Sequence, residues 1–425
     1  MQHDLLSPFS RRDLLAGLAG TALLAGQVPK TLAMDFAPYQ QKTDRVVRMG
    51  VIGGNFGASF YWHEHPNCRV TAVCDLRQDR IQRLQRVYNS QATPYTDYRE
   101  MLRDRNVDAV GVFTPAPLHV EMSVAAMKAG KHVISAVPAA LDLAGCRKLI
   151  DTAKSTGMVY MMSETSHFMC EIIAARKFAR AGAFGTLFYT ESEYHHEGLV
   201  NLWFEDAQGN LCLRENATRP TWRHGLPPML YPTHCTGMIV PVTGERLVEV
   251  SCLGWGDDNP DLVGNAYKNP FWNETAFFRT EKGHAARVSV CWHLAAGGGE
   301  RGSFYGDKMS LVMWRPEGSA NKLGYPQRDP RLGEQENLKD YGHFSVYNVP
   351  NFWEMLPETM RHDSGHGGSH TFITHEFIQA ILEGRPPEVD VYEAVAYTAP
   401  GIVAHKSALK GGETMKIPDF GRAQA

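Results

Sequence analysis

A glycine-rich turn near the start of the sequence has the residue types that bind the phosphates of a dinucleotide. The apolar run at residues 46–52 leads directly into Gly53, Gly54, Asn55, Phe56 and Gly57. Small residues at a strand-to-helix turn let a pyrophosphate reach the backbone amides and the positive end of the helix. Because Asn55 stands where the usual fingerprint has a second glycine, the turn alone is also compatible with an ordinary tight turn.

Asp75 extends this pattern at the end of the second apolar run, residues 70–74. In dinucleotide-binding proteins, an acidic residue at this place accepts hydrogen bonds from the adenosine ribose. Its negative charge repels a 2′-phosphate, so the sequence predicts NAD as the cofactor, while Arg77 leaves NADP open as the alternative. The same carboxylate is also suited to cap a helix at residues 77–88.

Short apolar runs alternate with helical segments through residues 40–163. The predicted strands are residues 46–52, 70–74, 109–113, 133–135 and 159–162, and the predicted helices are residues 77–88, 120–129 and 143–156. Alternating strands and helices form a parallel sheet covered on both faces. We therefore expect an α/β protein with an N-terminal, doubly wound NAD(P)-binding Rossmann domain.

The second half of the chain has strand-like runs in succession. They lie at residues 187–194, 248–254, 274–279, 285–292 and 300–305, with helices predicted at residues 171–181, 371–382 and 392–409. This order predicts an α+β domain over residues 164–425 with an open, largely antiparallel sheet. Residues 316–357 are rich in Pro, Gly, Asn and charged residues, which predicts long surface loops.

Several short motifs are similar to those of the Gfo/Idh/MocA family of sugar-related oxidoreductases. They are Thr114-Pro115-Ala116-Pro117-Leu118-His119, Gly130-Lys131-His132-Val133, Gly182-Ala183-Phe184-Gly185, Tyr305-Gly306-Asp307 and Ile417-Pro418-Asp419. The resemblance extends over nearly the whole chain that follows the first 35 residues. It implies a Rossmann domain joined to an open sheet, an active site between them, and homo-oligomers formed through the sheet face.

The residues at the family's catalytic positions differ from those of its common dehydrogenases. Where many of them carry Glu-Lys-Pro, this chain has Ala136-Val137-Pro138, and Leu230 replaces the aspartate that precedes His234. The NAD-dependent α-N-acetylgalactosaminidases of the same superfamily resemble this chain more closely. They share Val137-Pro138, the segment Tyr231-Pro232-Thr233-His234 and a strand-end tyrosine, here Tyr194.

This resemblance implies a role for each matching residue. Catalytic roles are implied for His234, Tyr194 and Tyr231, and substrate contacts for Trp222, Arg223 and His195. Cofactor contacts are implied for Gly53, Gly54, Asn55, Phe56, Gly57, Asp75, Thr114, Pro115, Pro117, His119, Val137 and Pro138.

The residue types also define a chemistry. A histidine such as His234 accepts a hydroxyl proton near neutral pH, and a tyrosine relays a proton or stabilises charge on oxygen. Oxidising a sugar hydroxyl to a ketone acidifies the adjacent C–H, so that a base removes this proton and a glycosidic oxygen is expelled. Water then adds, and the returned hydride restores the cofactor. We expect such a redox-neutral cycle on a sugar or glycoside; the alternatives are a net sugar dehydrogenase, a sugar–sugar oxidoreductase or a non-catalytic sugar- or nucleotide-binding protein.

Composition and the N-terminal residues restrict partners and location. The 43 Lys and Arg nearly balance the 46 Asp and Glu, which argues against a nucleic-acid partner. Arg11 and Arg12 precede an apolar run at residues 14–25, which is shorter than the roughly 20 residues that span a bilayer. This layout predicts a twin-arginine signal at residues 1–35, export by the twin-arginine translocase to the periplasm or beyond, and no stable membrane insertion. An amphipathic helix of the mature fold is the alternative.

The remaining polar clusters leave alternatives open. Metal binding by His63-Glu64-His65 or His195-His196-Glu197 is less expected than surface or substrate contacts, so we predict no metal site. His366 and His370, which flank Gly367-Gly368, either reach the active-site cleft or cap the following helix. Trp203, Trp222 and Trp272 either stack on a sugar or pack in the core. Cys235 is not expected to act with His234, because neighbours on a strand point to opposite faces.

Overall fold

The computed structural model describes residues 38–196, 202–257, 259–296, 298–325 and 343–423. The predicted twin-arginine signal at residues 1–35 lies outside these ranges. Within them, no helix combines the length and the apolar character needed to cross a membrane.

Six strands of the first half form a parallel sheet. They are β1 (Val47–Ile52), β2 (Cys68–Cys74), β3 (Thr93–Tyr95), β4 (Ala109–Val112), β5 (His132–Ser135) and β6 (Tyr160–Met162). Their order is β3-β2-β1-β4-β5-β6, and every neighbouring pair is parallel. The order reverses between β1 and β4, where doubly wound sheets bind ligands at the carboxyl ends of their strands. The predicted Rossmann-type α/β fold is thereby confirmed.

Four helices cover this sheet: α1 (Gln78–Val87), α2 (Tyr98–Arg103), α3 (His119–Lys128) and α4 (Leu143–Thr156). The bounds of α4 follow from its end residues. The Asp142 side chain accepts a hydrogen bond from the Gly145 N–H at its start, and Gly157 ends it with a φ of 66°. Strand β3 and helix α2 were not predicted, because such short segments show no clear period.

The residues after the glycine-rich turn do not form the expected α-helix. They form two separate 3-10 turns, Phe56–Ser59 and Trp62–Glu64. The aromatic rings of Phe60 and Trp62 are fully buried here, and Phe60 stacks on Phe113 with centroids 4.4 Å apart. A single turn aligns few peptide dipoles, so the amides of the turn itself are the groups that this segment offers to an anion.

Nine described strands form the second sheet. They are β7 (Leu187–His195), β10 (Leu247–Trp255), β11 (Asn273–Thr280), β12 (Ala285–Cys291), β13 (Gly299–Gly306), β14 (Ser310–Val312), β15 (Lys322–Tyr325), β16 (His343–Val346) and β17 (Met415–Lys416). Their order is β16-β15-β14-β13-β7-β12-β11-β10-β17, and only the β7–β12 pair among them is parallel. The largely antiparallel sheet is confirmed. A small hairpin, β8 (Phe204–Glu205) and β9 (Arg219–Pro220), lies apart from it.

Four further helices complete the described chain: α5 (Cys170–Arg180), α6 (Thr233–Thr243), α7 (Gly365–Glu383) and α8 (Val391–Ala408). Two expectations are wrong here. The segment at His234 and Cys235 is helix α6, and both residues are buried in it. Residues 316–357 contain β15 and β16, which extend the sheet by pairing with β14 and with each other; turn-rich composition hid these short strands.

The two faces of the second sheet differ. Tyr194 on β7 lies directly opposite Glu300 on β13, so both side chains point to the face on which α6 packs. The opposite face exposes apolar side chains, among them Leu253, Trp255 and Phe277.

Candidate active site

The glycine-rich turn at the end of β1 approaches the neighbouring strand closely. Gly53 has a φ of 100°, and a Cβ added there would lie 2.3 Å from the Phe113 carbonyl oxygen. Only glycine fits this backbone. A Cβ on Gly57 would lie 3.0 Å from the Phe113 ring, so this residue also permits close packing. The turn therefore presents bare backbone at the switch point of the sheet.

Asp75 joins this turn to the start of α1. One carboxylate oxygen accepts a hydrogen bond from the Gly54 N–H (2.7 Å) and the other from the Arg77 N–H (2.9 Å). Arg77, not Asp75, holds the N-cap position of α1, so the helix-cap interpretation is wrong. Since each carboxylate oxygen accepts two hydrogen bonds, both oxygens retain capacity for ribose hydroxyls.

The Arg77 side chain connects this region to the loop before β9. Its guanidinium donates to the carbonyl oxygens of Gln208 (2.9 Å) and Gly209 (3.0 Å) and pairs with Asp79. The positive charge of Arg77 is therefore already engaged within the protein, where it could otherwise attract a 2′-phosphate.

His119 ties together the segments after β4 and β5. Its ring nitrogens each lie 2.8 Å from a backbone carbonyl oxygen, one of Thr114 and one of Pro138. The ring is buried, so His119 supports these two segments from behind.

One cavity of about 1190 Å³ connects the predicted cofactor and catalytic residues. Small-molecule sites usually enclose roughly 300–1,000 Å³, so this space suffices for a dinucleotide and a second ligand. Predicted residues that line it are Gly53, Asn55, Phe56, Asp75, Thr114, Pro115, Val137, Tyr194, Trp222, Arg223, Tyr231 and His234. The other predicted cofactor contacts shape the surrounding backbone and do not line the cavity: Gly54, Gly57, Pro117, His119 and Pro138.

His234 forms a buried ion pair at the far end of this cavity. Its Nδ1 lies 2.8 Å from Glu164 Oε1 and 3.8 Å from Glu300 Oε2, and its side chain is 6% exposed while that of Glu164 is 0% exposed. Because Nδ1 is engaged, Nε2 is the nitrogen available to a ligand. Leu230, in the position of the family's aspartate, is buried apolar surface.

The pair shifts the pKa values of both partners. Burial alone would lower the pKa of His234, but the carboxylates of Glu164 and Glu300 outweigh burial and raise it to about 9. Burial alone would raise the pKa of Glu164, yet the His234 charge and hydrogen bonds lower it. At neutral pH the free protein therefore holds an imidazolium beside a carboxylate.

Two tyrosines and a tryptophan surround His234. The Tyr194 ring meets His234 edge-on at 4.6 Å, and the Tyr231 ring lies 5.4 Å from it. Burial raises the pKa of both hydroxyls above the usual tyrosine value. The increase is large for Tyr194. Trp292 contacts Tyr194 edge-on. Both tyrosines therefore act as hydrogen-bond donors and not as bases.

The predicted substrate contacts are only partly brought together. Arg223 lies over the Trp222 ring at 4.3 Å, and both residues line the cavity. His195 points to the opposite face of β7, with Nε2 3.2 Å from Ser289 Oγ, so its predicted substrate contact is wrong. His196 lines the cavity instead.

The other histidine and tryptophan clusters have separate places. Trp203 and Trp272 stack at 5.0 Å in a buried cluster, as expected for core packing. His366 lines the cavity, whereas His370 lies behind it. Across the described ranges, no three His, Cys, Asp or Glu side chains are arranged to hold a metal ion.

Two family models match the chain. Residues 47–164 match the Gfo/Idh/MocA model, described as an oxidoreductase family with an NAD-binding Rossmann fold. Residues 334–425 match the C-terminal domain of glycosyl hydrolase 109. The chain joins a Gfo/Idh/MocA oxidoreductase domain to a glycosyl hydrolase 109 domain. The predicted family resemblance and NAD as cofactor are confirmed.

Proteins named for the same hydrolase family are similar to this chain over nearly its whole length. The glycosyl hydrolase family 109 protein of Solibacter usitatus is 28% identical over 457 residues, which covers 98% of each chain. Glycosyl hydrolase family 109 protein 2 of Akkermansia muciniphila is 24% identical, covering 89% of this chain and 83% of the relative.

Solved structures share the fold of this chain. Levoglucosan dehydrogenase in complex with NADH and levoglucosan has a TM-score of 0.70 at 18% identity, covering 88% of this chain and 100% of that one. The aldose-aldose oxidoreductase from Caulobacter crescentus has a TM-score of 0.63 at 18% identity, with the same coverage of 88% and 100%. At this level of identity, the similarity establishes the fold.

Sequence reasoning missed the carboxylates that face His234. Glu164 follows β6 at the carboxyl end of the sheet, where ligand-binding residues of doubly wound folds collect, so its position in the sequence was a usable signal. Glu300 comes from β13, and its approach to His234 depends on the pairing of β13 with β7. No local sequence pattern indicates that contact.

Proposed function

We propose that this chain is an NAD-dependent enzyme that cleaves a glycoside by oxidation and elimination and restores its cofactor in each cycle. One observation carries the proposal: His234, which is paired with the buried Glu164, lines the same cavity as the glycine-rich turn. The names of the family 109 relatives support the hydrolase outcome.

The described residues fit the cofactor. Gly53 keeps its backbone accessible at a place where a Cβ would obstruct it. Asp75 retains acceptor capacity for a ribose. The cavity extends from these residues to His234. When bound, NAD would supply a hydride acceptor for oxidation of the sugar and the hydride for its later reduction. The protein side chains that transfer protons lie at the other end of the cavity, around His234.

His234 accepts, in its deprotonated form, the hydroxyl proton that leaves with oxidation; this form is the minor one at neutral pH because the pKa of His234 is raised to about 9. Its Nε2 faces the cavity side, and Glu164 stabilises the imidazolium that forms, as it does in the free protein. The imidazolium then donates a hydrogen bond to the new ketone oxygen. This interaction acidifies the adjacent C–H, and the protonated Tyr194 and Tyr231 add donors for charge on oxygen.

The test is turnover without added cofactor. Purified protein is assayed for bound NAD by mass spectrometry and screened against nitrophenyl glycosides, including an N-acetyl-α-galactosaminide, with no NAD supplied. We expect bound NAD, release of nitrophenol, and deuterium incorporation next to the oxidised carbon in D₂O. Oxidised product without cleavage or exchange would favour a net dehydrogenase or sugar–sugar oxidoreductase. Bound NAD with no reaction on any sugar would favour a binding protein.

We also propose export by the twin-arginine route to the periplasm or beyond, on the basis of Arg11, Arg12 and the short apolar run after them. All eight cysteines are free, and six are buried. Disulfides are rare in proteins that fold in the cytoplasm, and this route carries folded proteins. Replacing both arginines by lysine should retain the protein in the cytoplasm, and unchanged fractionation would contradict the proposal.

A homo-oligomer through the sheet face is a further proposal. Leu253, Trp255 and Phe277 are 64%, 55% and 59% exposed and lie together on β10 and β11. Contiguous apolar surface of this kind is typical of protein interfaces. Light scattering should give a multiple of the 47.4 kDa chain mass and a smaller species for Phe277→Lys. A wild-type mass equal to one chain would contradict it.

A further inference from the structure

The segment after the glycine-rich turn gives a pyrophosphate less support than the usual dinucleotide site does. In doubly wound folds a regular helix follows this turn, and its dipole and free N–H groups stabilise the anion. Here the corresponding residues form the separate 3-10 turns Phe56–Ser59 and Trp62–Glu64. Both phosphates of a dinucleotide are negatively charged, so a cavity that takes them needs positive charge from another element.

Helix α1 packs directly against the glycine-rich turn. A Cβ on Gly54 would lie 2.6 Å from the Arg80 carbonyl oxygen and 2.7 Å from the Arg80 Cβ, so a glycine here lets α1 approach. Further along α1, Arg83 Nη1 donates to Asn55 Oδ1 at 3.2 Å. Residues three apart lie on the same face of a helix. Helix α1 therefore presents two guanidinium groups on the face that meets the turn.

Both arginines line the cavity beside the turn. Arg80 and Arg83 belong to its lining together with Asn55. The arginine that precedes them, Arg77, is already paired with Asp79. Within the described ranges, no carboxylate forms such an ion pair with Arg80 or Arg83, so both charges are available to an anionic ligand.

The position of Asp75 determines which anion these arginines meet. Asp75 accepts a hydrogen bond from the Gly54 N–H at 2.7 Å and has its remaining acceptor capacity at the ribose position. Its negative charge disfavours a 2′-phosphate there. Asn55, which Arg83 contacts, belongs to the turn whose backbone the pyrophosphate approaches. The anion within reach of α1 is therefore the pyrophosphate.

We propose that Arg80 and Arg83 bind the pyrophosphate of NAD and provide the positive charge that a helix dipole provides in the usual site. A guanidinium suits this role, because it remains charged and its planar fork donates two parallel hydrogen bonds to phosphate oxygens. Asn55 restricts the Arg83 side chain, so less side-chain entropy is lost when the cofactor binds. The proposal concerns cofactor retention and goes beyond the glycoside chemistry proposed above.

The experiment compares Arg80→Gln, Arg83→Gln and the double variant with wild type, each purified with its bound NAD. Release of NAD is followed during dialysis, and the two phosphorus signals of the bound cofactor are recorded by NMR. We expect release to be about 10-fold faster in each single variant and about 100-fold faster in the double variant, since hydrogen bonds to charged groups are lost. The phosphorus signals should shift in every one of these variants.

Two further variants separate charge and geometry from general effects on the helix. Arg83→Lys keeps the charge without the fork, so it should retain NAD better than Arg83→Gln and less well than wild type. Arg86→Gln is the matched control, because Arg86 is an exposed arginine on the same helix that does not line the cavity. Its release rate and phosphorus signals should equal those of wild type.

Salt dependence provides a measurement that needs no variant. Screening lengths fall from about 10 Å at 0.1 M salt to about 3 Å at 1 M, so wild type should release NAD faster at the higher concentration. Salt-independent release from wild type would overturn the proposal. Wild-type release and phosphorus signals in the folded double variant would also overturn it. The same holds if the double variant loses affinity for NADP but not for NAD, because the arginines then meet a 2′-phosphate. Glycoside cleavage is not a readout, so this result and the test of the proposed function are independent.

Discussion

Glu164 Oε1 lies 2.8 Å from His234 Nδ1, and this contact links the end of β6 to the first turn of α6. Both side chains are almost completely buried. In such a pair the charge of each partner depends on the other, because neither is stabilised by water. The protonation state of His234 therefore depends on Glu164, which follows the last strand of the first sheet.

Replacing the nearer carboxylate should change the pKa of His234 strongly. In Glu164→Gln, burial is opposed only by the more distant Glu300, so the pKa should fall from about 9 to near or below its usual 6.5. NMR titration of the His234 ring measures this change. Glu300→Gln retains the closer partner and should produce a smaller fall. Equal shifts in both variants would contradict the assigned geometry.

The same pair predicts how stability depends on pH. The folded-state pKa of His234 is raised, so its contribution to the free energy of unfolding is complete below about 6.5 and is lost as the pH rises through about 9. The pKa of Glu164 is lowered, so its contribution is present above its usual value of 4.5 and is lost as the pH falls through its folded value. Urea unfolding midpoints should therefore decline between pH 7 and 9, and less steeply in Glu164→Gln.

The glycine-rich turn allows a comparison of two glycines with positive φ. A Cβ on Gly53 would lie 2.3 Å from a carbonyl oxygen, while nothing lies within 4 Å of one on Gly130, where φ is 74°. Gly130→Ala should lower the free energy of unfolding by about 1–2 kcal/mol, the cost of left-handed backbone. Gly53→Ala should cost more and should also release NAD, as shown by calorimetry and mass spectrometry. Equal costs would contradict the close approach.

We expect the Arg77 contacts to slow the release of NAD relative to a site that lacks them. Its two hydrogen bonds hold the Gln208–Gly209 carbonyls against the start of α1, and all three residues line the cavity near Asp75. Arg77→Ala should raise the rate of NAD release during dialysis by about 10-fold, since the hydrogen bonds that hold these two carbonyls at the start of α1 are then lost. Arg86→Ala, an exposed change on the same helix, should leave the rate unchanged.

The sequence predicted best where one local pattern determines one element. Helix α4 was predicted with the bounds Leu143–Thr156 that the structure shows, because Asp142 and Gly157 mark its ends. The Rossmann strands were found because burial on both faces makes them continuous apolar runs. By contrast, α6 is apolar nearly all round and carries an internal proline, Pro241, so it shows neither a helical period nor a helix-favouring composition.

The candidate site was predictable in part. His234, Tyr194, Tyr231, Trp222 and Arg223 were proposed from motifs, and the structure brings all of them to one cavity. His195 was proposed with Tyr194 from the same short segment, but alternation along β7 separates them. The contacts of Glu164, Glu300 and His366 arise from elements distant in sequence, and no local spacing encodes them.

The first sheet is completed by residues close to the end of the chain. The Ala139 N–H donates to Thr398 Oγ1 on α8, and the Met162 N–H donates to the Val389 carbonyl just before that helix. Ala139 and Thr398 are separated by 259 residues in the sequence, so the outer edge of the Rossmann half depends on a distant part of the chain. The Rossmann half is therefore not expected to complete its outer edge as an isolated N-terminal fragment.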